Sequence, residues 1–107
     1  MSRESLGHFE LLVLLALLRQ GEDAYGVPIA HAIEHGTGKP VILASVYNTL
    51  ERLEEKGLVR STIGQPTPER GGRAKRYFSM TTTGLREVRA AKKALTVLWR
   101  GIPVHEG

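Results

Sequence analysis

A mainly α-helical fold with one small β-hairpin, in the order helix, helix, helix, strand, strand, helix, is predicted by three features of the sequence. Apolar residues recur at helical spacing in four stretches; the period changes between Leu58 and Met80, around an insert containing Gly and Pro; and glycines stand just past the first three helical stretches. With 107 residues the chain is long enough for one modest core and too short for two, so a second catalytic or sensory domain is not expected.

The first helix runs from Leu6 to Arg19, with Phe9, Leu12, Val13, Ala16 and Leu17 on one side. Leu11, Leu14, Leu15 and Leu18 widen that stripe nearly all round, so the helix is expected to be buried on a second side, against another subunit. Gly21 ends it. The second helix starts after Tyr25 and Gly26, takes Pro28 in its first turn and turns Ile29, Ala30 and Ile33 inward before Gly36 and Gly38. The third runs from about Leu43 to Lys56, with Val46, Leu50 and Leu53 at i, i+4 and i+7 and Gly57 as its stop.

Leu58, Val59 and Ile63, then Tyr77, Phe78 and Met80, read as two strands joined by a long polar tip. Thr81 or Thr82 caps a last helix through about Arg100. Its apolar seam is Val88, Ala91, Leu95, Leu98 and Ile102, a spacing of threes and fours that suits pairing with another helix. Two helices joined by a short turn, a third helix and a basic hairpin make a winged helix-turn-helix. Residues 1–81 are expected to form the winged unit and 82–107 a C-terminal dimerisation helix and tail, in one compact body.

Composition narrows the function. Fifteen Lys and Arg against eleven Asp and Glu give a net charge of +4, which attracts polyanions yet tolerates acidic proteins. The chain has no cysteine, which excludes a disulfide framework, a thiolate metal site and a thiol nucleophile. The longest apolar run, Leu11 to Leu18, has eight residues, where a membrane span needs about 20. No secretory signal pattern surrounds it, so a cytoplasmic protein is expected.

With Val46, Leu50 and Leu53 turned inward at about 100° per residue, Ala44, Ser45, Asn48, Glu51, Arg52 and Glu55 face outward. Small residues let a helix enter a major groove about 12 Å wide; Asn can bond an adenine edge, and Arg a guanine edge or a phosphate. Alone, the same face could be plain solvated surface. The hairpin adds weight to the first reading. Arg60, Arg70, Arg73, Lys75 and Arg76 are opposed there by Glu69 alone, and Gly71 and Gly72 permit close backbone approach.

The string Ala24-Tyr25-Gly26, then Ser45-Val46-Tyr47-Asn48-Thr49-Leu50-Glu51-Arg52-Leu53-Glu54-Glu55-Lys56-Gly57-Leu58-Val59, resembles the PadR family of bacterial transcriptional regulators. The likeness continues through Gly71-Gly72-Arg73-Ala74-Lys75-Arg76-Tyr77-Phe78 and Thr81-Thr82-Thr83-Gly84. It implies a sequence-specific DNA-binding regulator, usually a repressor, that holds a near-palindromic operator as a homodimer and is relieved by a small-molecule effector. No cofactor is expected. Carried over by position, Ser45, Tyr47, Asn48, Thr49 and Arg52 become recognition-helix contacts, and Arg70, Arg73, Lys75 and Arg76 wing contacts. Tyr47, at the edge of the outward arc, suits phosphate better than a base.

The resemblance also implies a dimer built through the first and last helices, here Leu11, Leu15, Leu85, Val88, Leu95, Leu98, Trp99 and Ile102. In some short members a tryptophan placed like Trp99 lines a dimer pocket for flat aromatic compounds; a packed interface anchor is the plainer role. One departure stands out. Where the family has Ser or a similar cap before the recognition helix, this chain has Ile42, then Leu43 and Ala44. Ile cannot cap a free N–H, so the sequence places that helix's start only to within a residue or two.

Two other classes are open to the sequence. A winged-helix interaction module could use the basic wing on an acidic partner without reading DNA; Ser45, Asn48 and Arg52 speak against it, since a scaffold does not require them. His31-Ala32-Ile33-Glu34-His35 matches the H-x-x-E-H pattern of zinc hydrolases, without an evident third ligand and with Gly36 ending the turn. Gly36-Thr37-Gly38-Lys39-Pro40 lacks the arc of a phosphate loop and reads as a turn.

Overall fold

The computed structural model of the chain describes residues 6–21, 24–64 and 75–103. Its elements are α1 (His8–Gln20), α2 (Gly26–Thr37), α3 (Leu43–Glu55), β1 (Val59–Ile63), β2 (Arg76–Met80) and α4 (Thr82–Trp99). The winged helix-turn-helix order expected from the sequence is present.

Local chemistry explains the boundaries. α1 begins two residues inside the apolar stretch because Gly7 stays extended, its N–H donating to Glu10 Oε1 at 2.8 Å. α2 ends at Gly38, whose φ of 73° is left-handed and whose N–H donates to the Glu34 carbonyl at 2.8 Å. α3 starts after Ile42, which offers no side-chain cap; the Ser45 N–H closes the first turn onto the Ile42 carbonyl at 2.9 Å. Thr81 caps α4, accepting from the Gly84 N–H at 3.0 Å while its hydroxyl donates to the Gly57 carbonyl at 2.7 Å.

The core lies where α1, α2 and α3 meet, filled by Val13, Leu14, Leu17, Ile29, Val46, Leu50 and Leu53. β1 and β2 pair antiparallel, Val59 opposite Met80 and Ile63 opposite Arg76, and Val59 and Phe78 are the side chains they sink into that core. The Phe78 N–H also donates to the Ala24 carbonyl at 2.8 Å, which ties the wing to the entry of α2.

α4 touches the core through its first two turns. A Cβ at residue 84 would overlap the Leu58 carbonyl oxygen, so glycine is what lets the helix come this close. Val88 is buried within its own protomer, at 4% exposure. It therefore leaves the set of residues expected to meet a second subunit: it is spent on the intrachain core. Leu85 is half-buried, and beyond Val88 the stripe runs out of the core with Leu95, Leu98 and Trp99 exposed. Ile102 is exposed too but lies past the helix, which stops at Trp99 before Gly101 at φ 78°. The radius of gyration, 15.9 Å, exceeds the ~13 Å of a compact chain of this length, in keeping with a helix that projects. Among the described residues no helix is long and apolar enough to cross a membrane.

Candidate nucleic-acid interface

The outward face of α3 is as the helical period requires. Ala44 and Asn48 are exposed and Ser45 is half-buried, with Glu51, Arg52 and Glu55 exposed toward the C-terminal end. The N-terminal half thus presents small and polar groups, and the acidic pair stands where phosphate would be repelled. Thr49 does not belong to this face. It is 2% exposed, packed inward between Val46 and Leu53, and its Oγ1 accepts from Arg52 Nη2 at 3.3 Å. Its burial leaves no surface for a direct DNA contact, and its hydroxyl faces Arg52 instead.

Tyr47 is half-buried, its ring centroid 6.4 Å from that of Phe78 and its edge laid over Gly26. A Cβ at residue 26 would overlap the tyrosine ring. The pairing of Gly26 with Tyr47, distant in sequence, is thus a slot and its occupant that fix α3 against the start of α2.

Arg52 is anchored from below. Glu10, with a side chain 9% exposed, accepts from Lys56 Nζ at 2.9 Å and lies 3.8 Å from Arg52 Nε. Burial would raise the Glu10 pKa, but the Gly7 amide, Lys56 and Arg52 outweigh it and hold the carboxyl below its ordinary value. Sequence reading passed over Glu10 because it sits inside an apolar helix; the available signal was an acid three residues after the glycine that precedes that helix.

At the wing, Arg76 Nη1 donates to Glu51 Oε2 at 3.1 Å and Nη2 to Glu54 Oε1 at 2.8 Å. Glu54 also accepts from the Ser61 hydroxyl at 2.8 Å and the Ser61 N–H at 3.2 Å. Its pKa is lowered, first by the Ser61 hydroxyl, then, against the cost of burial, by the Ser61 amide and Arg76. Arg76 is therefore a strut between wing and α3 in the unbound protein, not a free cation. Lys75 Nζ lies 4.0 Å from the centre of the Tyr25 ring, which meets Tyr77 edge-on at 5.9 Å. Arg70 and Arg73 lie outside the described residues.

Glu34 Oε2 accepts from the Val41 N–H at 2.8 Å, which braces the turn between α2 and α3, and among the described residues no group of three potential ligands gathers. Between α1 and α4, Leu6, Gly7, His8 and Leu11 face Ala91, Ala94 and Leu95 across an open groove of about 500 Å³. Leu15, farther along α1, is partly exposed.

A model of the transcriptional regulator PadR-like family matches residues 14–90. Among solved structures, the chain is 30% identical to a PadR family transcriptional regulator from Eggerthella lenta, covering 85% of this chain and 77% of that one with a TM-score of 0.68. A PadR family transcription regulator from Clostridium difficile is 22% identical, covers 86% and 91%, and has a TM-score of 0.69. A transcriptional regulator from Thermoplasma acidophilum, named as putative, is 20% identical over 82% of each chain, also with a TM-score of 0.69. No curated protein matches the chain.

Proposed function

The chain belongs to the PadR-like family of DNA-binding transcriptional regulators, and from that premise we propose that it is a cytoplasmic, homodimeric repressor of a near-palindromic operator. The observation that carries this is the division of its surface. Half-buried Ser45 and exposed Asn48 lie on the helix that Arg76 ties to the wing, while the apolar stripe of α4 continues past the core as Leu95, Leu98 and Trp99. The first is the surface that reads DNA and the second the surface that pairs.

Two such chains, joined through α1 and α4, would set their α3 helices in successive major grooves about one helical turn, ~34 Å, apart. Asn48 and Ser45 then read base edges. Lys75 and the wing residues Arg70 and Arg73 take flanking phosphates, joined by Arg76 once it exchanges its carboxylate partners for phosphate. The groove between α1 and α4 is the place for an effector, since a ligand there would change how the protomers sit. The experiment is a selection of bound duplexes from a random pool, followed by measurement of the protein's mass on the selected site. A palindromic consensus bound by two chains supports the proposal; binding without an enriched sequence contradicts it.

A further inference from the structure

Ile42 is the most exposed large apolar side chain of the described protein, at 72%, and it sits at the tip of the helix that reads DNA. It precedes α3, offers no cap to the helix and leaves the position that a serine would serve better. Nor is it loosely placed. Pro40 limits the backbone before it, Val41 packs against the core, and the Val41 N–H is held by Glu34 Oε2 at 2.8 Å. The next two residues, Leu43 and Ala44, are exposed as well. The leading end of α3 is thus an apolar tip on a braced turn, continuous with the polar Ser45 and Asn48.

We propose that Ile42 determines specificity by packing on the C5-methyl group of a thymine in the major groove. This rests on α3 being the recognition helix. In that groove the thymine methyl is the apolar group that base edges offer, whereas the other edge groups are donors and acceptors that an isoleucine would desolvate without replacing their bonds. Glu51 and Glu55 keep phosphate from the far end of α3, so the helix enters by the end that carries Ile42. The operator therefore holds a thymine in each half-site at the position facing this tip, next to the bases read by Ser45 and Asn48.

The test compares the wild type, Ile42→Val and Ile42→Ser in selections from one random duplex pool, then replaces the selected thymine by deoxyuridine. The wild type and Ile42→Val should enrich the thymine, and loss of its single methyl should weaken their binding about fourfold. Ile42→Ser should keep the bases chosen by Ser45 and Asn48, lose the thymine preference and bind the deoxyuridine duplex as well as the thymine one. Its melting temperature should not fall, because serine caps the helix; a folding defect is thereby separated from lost readout. The same base preferences and deoxyuridine response in wild type and Ile42→Ser overturn the proposal. So does an altered oligomeric state with unchanged preferences, which would assign the tip to a second copy of the chain. Enrichment of no sequence by any variant overturns it together with the recognition-helix reading.

Discussion

Tyr47 and Asn48 are neighbours in sequence with different work to do. Asn48 is exposed on the reading face, so Asn48→Ala should cost about 1 to 3 kcal/mol of operator binding and relax base preference at one position per half-site, measured by titration against single-base operator variants. Tyr47 is committed to the slot at Gly26. Gly26→Ala should therefore destabilise the fold by about 1 to 3 kcal/mol in urea unfolding, and truncating Tyr47 in the same chain should recover part of the loss. The outward positions were legible because they follow from helical period alone. Thr49 was misplaced because residue identity in a family string says nothing of azimuth, and at three residues after Val46 and four before Leu53 it falls on the buried side. The ion pairs of Glu10 and Glu54 were not legible, since each carboxylate finds its cations across the fold: Lys56 from Glu10, and Arg76 from Glu54.

Between elements, α3 is held at both ends by carboxylates. Glu34 braces the turn that leads into it, Glu10 of α1 binds Lys56 just past its C-terminal end, and Glu54 in its last turn binds Arg76 of β2. The lowered pKa values of Glu10 and Glu54 give a sign to the pH dependence. Between the depressed folded pKa and the ordinary value of 4.5, the unfolded chain binds more protons than the folded one. The stability these groups contribute is thus complete above the unfolded value and lost as pH falls through the folded one. Thermal melts should hold steady at neutral pH and decline in this acid window, and Glu54→Gln should flatten the decline. The strut from Arg76 to Glu51 has a second consequence. Glu51→Gln should leave Arg76 held by Glu54 alone and remove a charge that repels phosphate, so affinity for random duplex should rise and its salt dependence steepen. The four helices and the hairpin could be read from period and stop signals. The sequence offered Thr81 or Thr82 as the cap of α4, and it is Thr81; the uncapped start of α3 was left loose because Ile42 carries no local signal.

In the whole molecule, α4 serves two ends. Its N-terminal turns complete the core through Gly84 and Val88, and its C-terminal turns carry Leu95, Leu98 and Trp99 into solvent. The sequence marked the stripe but not where it changes duty, because one continuous seam serves both the intrachain core and the surface beyond it. Leu95→Glu with Leu98→Glu should leave the fold intact, since both side chains are exposed, and yield a monomer by sedimentation with operator affinity close to that for random DNA. The most direct measurement is a titration of the purified protein against its own upstream DNA and a scrambled duplex of equal length, at two salt concentrations. Tight binding to the first, saturating at two chains per site and retained over the scrambled duplex at the higher salt, is the predicted result. Equal binding to both duplexes, lost alike as salt rises, would leave only phosphate attraction and contradict sequence-specific recognition by α3.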